Sequence, residues 1–238
     1  IDAHSALKCA SPQAPIADWF VGDDFHHNGA FYLAHAFHFF SKFGQTLNEP
    51  TRQVPIPFDY KTPDGYEFYL NLGTLANINK KHFKNEITFW KELMEHGTYD
   101  EFWKARNLLP HLKNIRPAVM TVGGWFDSED LYGPLSIYQT VERTSPEAYN
   151  ILIMGPWAHG DWNGLTGDQL GNIRFNQNTA IFYRNHIELP FLNHFLKDGK
   201  DPQLPDAYVF ETGTNQWRRY DSWPPANVKA RAFYFHSN

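Results

Sequence analysis

The sequence predicts an α/β fold: a parallel sheet with helices on both faces, interrupted by a helical insertion and followed by a β segment. Three observations carry this expectation. Residues 117–122 (PAVMTV) and 150–154 (NILIM) are short, continuous apolar runs closed by glycine, the pattern of strands buried on both faces. Helical stretches at 128–143 and 179–196 alternate with them, as in a parallel sheet with helical crossovers. A chain of 238 residues is long enough for one or two domains with a substantial core.

The elements follow in order. Residues 7–10 read as a short strand that runs into a proline-marked loop ending near Ile16. Residues 19–31 (WFVGDDFHHNGAF) hold Gly22, Asn28 and Gly29 and are expected to be irregular at first. Residues 31–43 are aromatic and helical, stopped by Gly44. Residues 48–64, with Pro50, Pro55, Pro57 and Pro63, form a loop. Helices are expected at 66–75 and at 87–95, where Ile87, Trp90, Leu93 and Met94 fall at helical spacing. Another is expected at 99–108, with acids first and Lys104 and Arg106 last, as the helix dipole favours. After the strand, helix, strand and long helix of 117–196, Gly199 is a stop. From Leu204 onward, strand-like pieces alternate with turn residues (AYVFETGTNQWRRY, then ARAFYFHS).

Composition excludes several classes of function. Lys+Arg is 21 against Asp+Glu 26, a net charge of −5, so there is no basic footprint for nucleic acid. No apolar run approaches the ~18 residues of a membrane span, and no signal peptide is visible. The single cysteine, Cys9, excludes a disulfide framework and a cysteine-based zinc site. Two features stand out, the 17% aromatic content and the 12 histidines. An aromatic-rich, mildly acidic protein suits small organic ligands better than polyanions.

In an open parallel sheet, chemistry gathers at the carboxyl ends of the strands. Two strand ends carry reactive residues here: Gly123-Gly124-Trp125-Phe126-Asp127-Ser128-Glu129-Asp130, and Gly155-Pro156-Trp157-Ala158-His159-Gly160. Asp127 and His159 are one strand–helix–strand unit apart, so neighbouring strands would bring carboxylate and imidazole together. Asp before His is also the order of the Ser–Asp–His relay in α/β-hydrolases. The plainer alternatives are an N-cap for Asp127 and a loop or core histidine for His159. Asp23 and Asp24 have turn or cap roles as theirs. Trp19, Phe25, Trp125, Phe126, Tyr132 and Trp157 flank these motifs and either line an acyl pocket or pack in a core.

Four blocks carry a specific resemblance: SPQAPIADWFVGDDFHHNGAF (11–31), YDEFW (99–103), VGGWFDSEDLYG (122–133) and MGPWAHGDW (154–162). Together they resemble a family of serine hydrolases that includes α-amino-acid ester hydrolases, cocaine-esterase-like enzymes, glutaryl-cephalosporin acylase-like proteins and Xaa-Pro dipeptidyl peptidases. The match runs from about residue 6 to 225 and is strongest in the α-amino-acid ester hydrolase branch. The resemblance implies the C-terminal part of an α/β-hydrolase sheet with an inserted helical cap and the start of a β jelly roll. The implied boundaries are 1–30 for a strand and active-site loop, 31–113 for the cap, 114–203 for the strands and helices carrying Asp and His, and 204–238 for the jelly-roll start. It implies Asp127 as triad acid and His159 as base. It also implies that Glu129, Asp130 and one of Asp23 or Asp24 hold a substrate ammonium, with Trp125, Phe126, Tyr132 and Trp157 around the acyl group. No metal or other cofactor is implied. The partner is a small molecule with an α-amino group, and export of the parent protein fits the family.

The family's nucleophile lies on a Gly-x-Ser-x-Gly elbow, and none of Ser5, Ser11, Ser41, Ser128, Ser136, Ser145, Ser222 or Ser237 sits in one. The absent elbow and the absent initiating Met both point to a truncated hydrolase, inactive alone. Such a fragment would expose a sheet edge that favours oligomerisation or strand exchange. Two other classes stand beside this one. Asp23, Asp24, His26 and His27 form a local cluster of metal-ligand types, without a helical His-x-x-x-His motif to support it. A non-catalytic module binding amines through Glu129 and Asp130 is the other.

Overall fold

A computed structural model describes residues 3–44, 49–52 and 56–236. Asn48 and Pro55 of the proline-marked loop, and Ser237, lie outside the described residues. The chain divides into two compact units, residues 1–17 with 108–238, and residues 18–107.

Strand β1 (Cys9–Ala10) opens the first unit. The chain then enters the helical unit through Asp18, whose Oδ1 accepts the N–H groups of Phe20 (2.9 Å) and Val21 (3.1 Å) and so bends the backbone. Its Oδ2 accepts from Tyr99 Oη and Asn107 Nδ2, both at 2.7 Å, tying the unit's first residue to its last. A small hairpin of β2 (His26–His27) and β3 (Ala30–Phe31) follows, turning at Asn28–Gly29. The helices are α1 (Leu33–Phe43), α2 (Gly65–Leu72), α3 (Ala76–Ile78), α4 (Thr88–Glu95) and α5 (Glu101–Lys104). Asp64 and Asp100 cap α2 and α5 through their side chains. Much of the aromatic excess is spent on this core: Phe25, Phe37, Phe40, Phe83, Trp90 and Trp103 are all buried.

The first unit resumes with β4 (Ala118–Gly124), α6 (Tyr132–Thr144) and β5 (Asn150–Gly155). A short hairpin, β6 (Gln169–Leu170) and β7 (Ile173–Arg174), precedes α7 (Thr179–Tyr183). A π turn at Arg184–Glu188 joins α7 to α8 (Leu189–Lys197). Pro190 explains the widening, because it has no N–H to give and its ring would crowd the carbonyl four residues back. Strands β8 (Ala207–Glu211) and β9 (Gln216–Tyr220) complete the sheet, in the order β1-β4-β5-β8-β9. The first four are parallel and β9 is antiparallel.

Every residue of β4 and β5 is buried, as their continuous apolar runs require. Alternation then sorts their side chains. Met120, Val122, Ile151 and Ile153 pack with Tyr183, Ile187 and Phe191 of the α7–α8 helix. Leu152 and Met154 face the other way, toward Tyr138 of α6 and Val209 of β8.

Three boundaries differ from the sequence reading. The helical unit spans 18–107 rather than 31–113, because Asp18 and Asn107 close it. Residues 204–220 belong to the α/β sheet, since β8 pairs in parallel with β5 and brings β9 with it. Residues 230–236, the described part of the ARAFYFHS stretch read as strand-like, hold no strand, and Phe233, Tyr234 and Phe235 are exposed.

Candidate active site

The site is built on two strand ends in register. Gly124 of β4 pairs with Gly155 of β5. Both positions must lack a side chain. A β-carbon on Gly124 would lie 2.2 Å from the Trp157 carbonyl oxygen, and one on Gly155 would lie 2.3 Å from the Trp157 ring. Trp157 fills that space, 1% exposed, and donates Nε1–H to Thr179 Oγ1 at 2.9 Å. Two backbone bonds then sew the loops together: Trp125 N–H to the Gly155 carbonyl (2.8 Å) and Phe126 N–H to the Trp157 carbonyl (3.0 Å). The residues that follow, Asp127 and Ala158-His159, are thereby brought to one place.

Asp127 is buried, and its two oxygens have separate tasks. Oδ1 accepts the backbone N–H groups of Glu129 (2.9 Å) and Asp130 (3.0 Å). Oδ2 accepts from His159 Nδ1 at 3.0 Å. Asp127 therefore partners His159 and is not a helix N-cap: the two backbone bonds to Oδ1 close a local bend. The bend they form is not the start of α6, which begins later, at Tyr132. Burial alone would raise the Asp127 carboxyl, but the His159 hydrogen bond and the two backbone donors hold it below the usual carboxylate range. His159 moves the opposite way, pushed up to about 9 by its bond to Asp127, against the opposing effect of burial and with help from nearby carboxylate charge.

Those other charges are Glu129 and Asp130. Their carboxylate oxygens lie 3.7 Å and 3.6 Å from His159 Nδ1. Asp127, Glu129, Asp130 and His159 therefore form one cluster around a half-exposed imidazole. Glu129, Asp130 and His159 each offer a ligand atom within 4.8 Å of the others, a spacing that a metal ion would also accept.

The remaining expected residues are distributed otherwise. Trp157 is core, not pocket lining. Trp125 packs beside Leu152 and Met154 and donates Nε1–H to the Phe210 carbonyl at 3.0 Å. Tyr132 packs beside Ile137 and Val141, and Phe126 is exposed. Asp23 and Asp24 belong to the helical unit. Asp23 is buried, and its Oδ2 accepts the Asp18 N–H at 2.9 Å. Asp24 adopts a left-handed backbone, with φ 48°. His26 of the proposed metal cluster turns into the aromatic core against Phe20 and Trp103.

Sequence reasoning gave no role to Gln13, Trp162, Thr179 and Arg184, all of which brace the site. Trp162 closes the MGPWAHGDW block and Gln13 lies in the SPQAP block, so position within these motifs was the one available signal. Their pairing across the fold leaves no local pattern.

A family model described as X-Pro dipeptidyl-peptidase (S15 family) matches residues 1–161. Cocaine esterase from Rhodococcus sp. (strain MB1 Bresler) is 23% identical over 148 residues, 60% of this chain and 24% of its own length. A solved aminopeptidase from a marine-sediment Thaumarchaeota archaeon superposes with a TM-score of 0.83 at 33% identity, covering 94% of this chain and 36% of that one. A solved α-amino acid ester hydrolase gives 0.84 and 31%, again over 94% of this chain and 36% of its own. This chain thus spans between a quarter and about a third of these relatives.

Proposed function

The chain belongs to the X-Pro dipeptidyl-peptidase (S15) family, hydrolases of α/β-hydrolase type, and on that premise we propose that it carries the acid and base of a serine hydrolase acting on esters or amides of α-amino acids. The observation that supports this reading best is the 3.0 Å hydrogen bond between His159 and Asp127 at the ends of adjacent parallel strands.

In the proposed reaction, His159 Nε2 takes the proton of a serine hydroxyl as the serine oxygen bonds to the substrate carbonyl carbon. The same nitrogen returns that proton to the leaving alcohol or amine. Water then repeats the sequence to release the acid. Asp127 keeps Nδ1 protonated and stabilises the imidazolium. This sequence has no Gly-x-Ser-x-Gly elbow, so the serine comes from a segment outside it, and the polypeptide alone is inactive.

Glu129 and Asp130 supply the preference for a free amine, because their charges favour a cationic group beside His159 and repel an anionic acyl group. The names of two solved relatives, aminopeptidase and α-amino acid ester hydrolase, support that class. The family description favours a second substrate with the same charge, the N-terminus of an Xaa-Pro peptide.

The test compares aminoacyl and N-acetylaminoacyl nitrophenyl esters. The polypeptide alone should give no turnover, and turnover abolished by His159→Ala would overturn the claim that its nucleophile is missing. In a longer chain that includes the serine, His159→Ala should lower kcat by about a thousandfold or more. Glu129→Gln with Asp130→Asn should erase the preference for the free amine. A preference that survives both substitutions rules out the carboxylates as its source.

A further inference from the structure

His159 is half-exposed and sits in an irregular loop, so something beyond its own burial must keep the imidazole on Asp127. We propose that Gln13 and Trp162 are positioning residues for His159, a role that rests on the reading of His159 as the base.

Trp162 is held at both ends. Its indole is 4% exposed, packs on Trp157 at 5.8 Å between centroids, and meets the His159 ring edge-on at 6.5 Å. Its Nε1–H donates to Gln13 Oε1 at 2.8 Å. Its backbone carbonyl accepts from Arg184 Nη1 at 2.6 Å, and the Leu165 carbonyl accepts from Arg184 Nη2 at 3.0 Å. The segment after His159 is therefore fixed by one side chain from the start of the unit and one from the π turn.

Gln13 is itself oriented. It follows β1 and bridges Val122 in parallel, at the end of the sheet that carries the Asp127 loop. Its Nε2 reaches Glu188 Oε1 at 2.8 Å, Tyr183 Oη at 3.2 Å and Ser11 Oγ at 3.3 Å. A glutamine amide has two N–H groups on one atom and the acceptor on the other. With the nitrogen turned to Glu188, the oxygen must face the indole. An accessible glutamine restrained by four side chains gives up rotamer freedom that an ordinary surface residue keeps.

The π turn makes this arrangement available. In a regular α-helix, residues five apart point ~140° away from each other. A π turn brings such residues onto one face. Tyr183 and Glu188 share a face here, with Tyr183 Oη donating to Glu188 Oε1 at 3.1 Å, and Gln13 docks on both.

The experiment uses this chain and reads His159 by nuclear magnetic resonance, its signals assigned with a His159→Gln variant. Trp162→Phe keeps the ring and removes the N–H. Gln13→Leu removes the acceptor. Each should speed solvent exchange of the His159 Nδ1 proton by about fivefold to tenfold, the worth of one ordinary hydrogen bond. Each should also lower the His159 pKa from about 9 toward 6.5. The double variant should do no more than the stronger single one, since both break the same bond. Should Gln13→Leu fail to fold, Trp162→Phe decides alone. A drop in melting temperature with exchange and pKa unchanged means a merely structural role and overturns the proposal. Asp127→Asn separates the two levels. If it too leaves His159 unchanged, the dyad reading fails and the positioning role with it. If it alone changes His159, only the positioning role is overturned.

Discussion

Gly155 and Trp157 pack so closely that a β-carbon on the glycine would sit 2.3 Å from the indole ring. The ring cannot retreat, because it is 1% exposed and its Nε1–H is committed to Thr179. Gly155→Ala should therefore destabilise the protein by about 1–3 kcal/mol, the usual cost of overpacking. It should also disturb the His159 signals, since His159 follows two residues after Trp157. Gly97→Ala, with nothing within 4 Å of the added carbon, is the matched control and should stay within about 0.5 kcal/mol. Urea titrations of the two variants check the contrast, and equal losses would contradict it.

The Asp127–His159 pair makes stability depend on pH in a stated direction. The His159 pKa is raised to about 9 from an ordinary 6.5. Its contribution is therefore fully present below 6.5 and lost as pH rises from there through about 9. The Asp127 pKa is lowered from 3.8, so its contribution is present above that value and lost as pH falls through the lower one. Asp127→Asn should remove the Asp127 effect and the largest part of the His159 effect, leaving the smaller part that Glu129 and Asp130 supply. The stability gap between wild type and variant should be widest from about pH 4 to 6.5 and shrink toward pH 9. Denaturant titrations across that range measure it, and a gap that grows toward pH 9 would reverse the assigned sign.

How much of this was legible depended on whether the cause was local. Strands β4 and β5 were readable because burial on both faces forces an unbroken apolar run. Asp127 and His159 were readable because strand ends are where a parallel sheet gathers reactive groups. Trp157 was not, because a tryptophan has the same bulk whether it fills a core or lines a pocket. Residues 179–196 read as one helix because the chain stays helical through the π turn, although Pro190 marked the place. Strand β8 was visible as a strand, but its partner β5 is remote in sequence, so its membership of the α/β sheet was not.

Thr179 joins two buried groups, accepting Trp157 Nε1–H at 2.9 Å and donating to the Gly167 carbonyl at 2.6 Å. Thr179→Val keeps the shape and leaves both without that partner. The expected cost is about 1–3 kcal/mol for each buried group left unsatisfied. Thr179→Ser, which keeps the hydroxyl, should recover most of it. Thermal melts of the pair check this, and a valine variant as stable as wild type, with serine the weaker of the two, would assign the role to the methyl group.

In the helical unit, Asp18 accepts from Phe20 N, Val21 N, Tyr99 Oη and Asn107 Nδ2. Asp18→Ala removes all four bonds from a buried site. We expect a loss of at least about 2 kcal/mol. Hydrogen exchange should rise first at residues 18–23 and 99–107, the segments Asp18 joins. A uniform rise over the whole unit would show that Asp18 supports the unit as a block and does not join these two segments in particular.

Glu129 and Asp130 act on His159 by charge, whereas Asp127 acts by charge and by a hydrogen bond at 3.0 Å. The effects should be graded accordingly. Asp127→Asn should bring the His159 pKa down furthest, and Glu129→Gln and Asp130→Asn should each bring it down less. Salt should then separate the two weaker partners. The Glu129 side chain is 21% exposed and that of Asp130 only 4%, at nearly equal distances from Nδ1. Mobile ions screen the more exposed charge better. Raising the ionic strength should therefore shrink the effect of Glu129→Gln before that of Asp130→Asn. Magnetic-resonance titrations of His159 at low and high salt measure the series. If the Glu129 effect proves the more salt-resistant, the arrangement of these carboxylates around the imidazole is wrong.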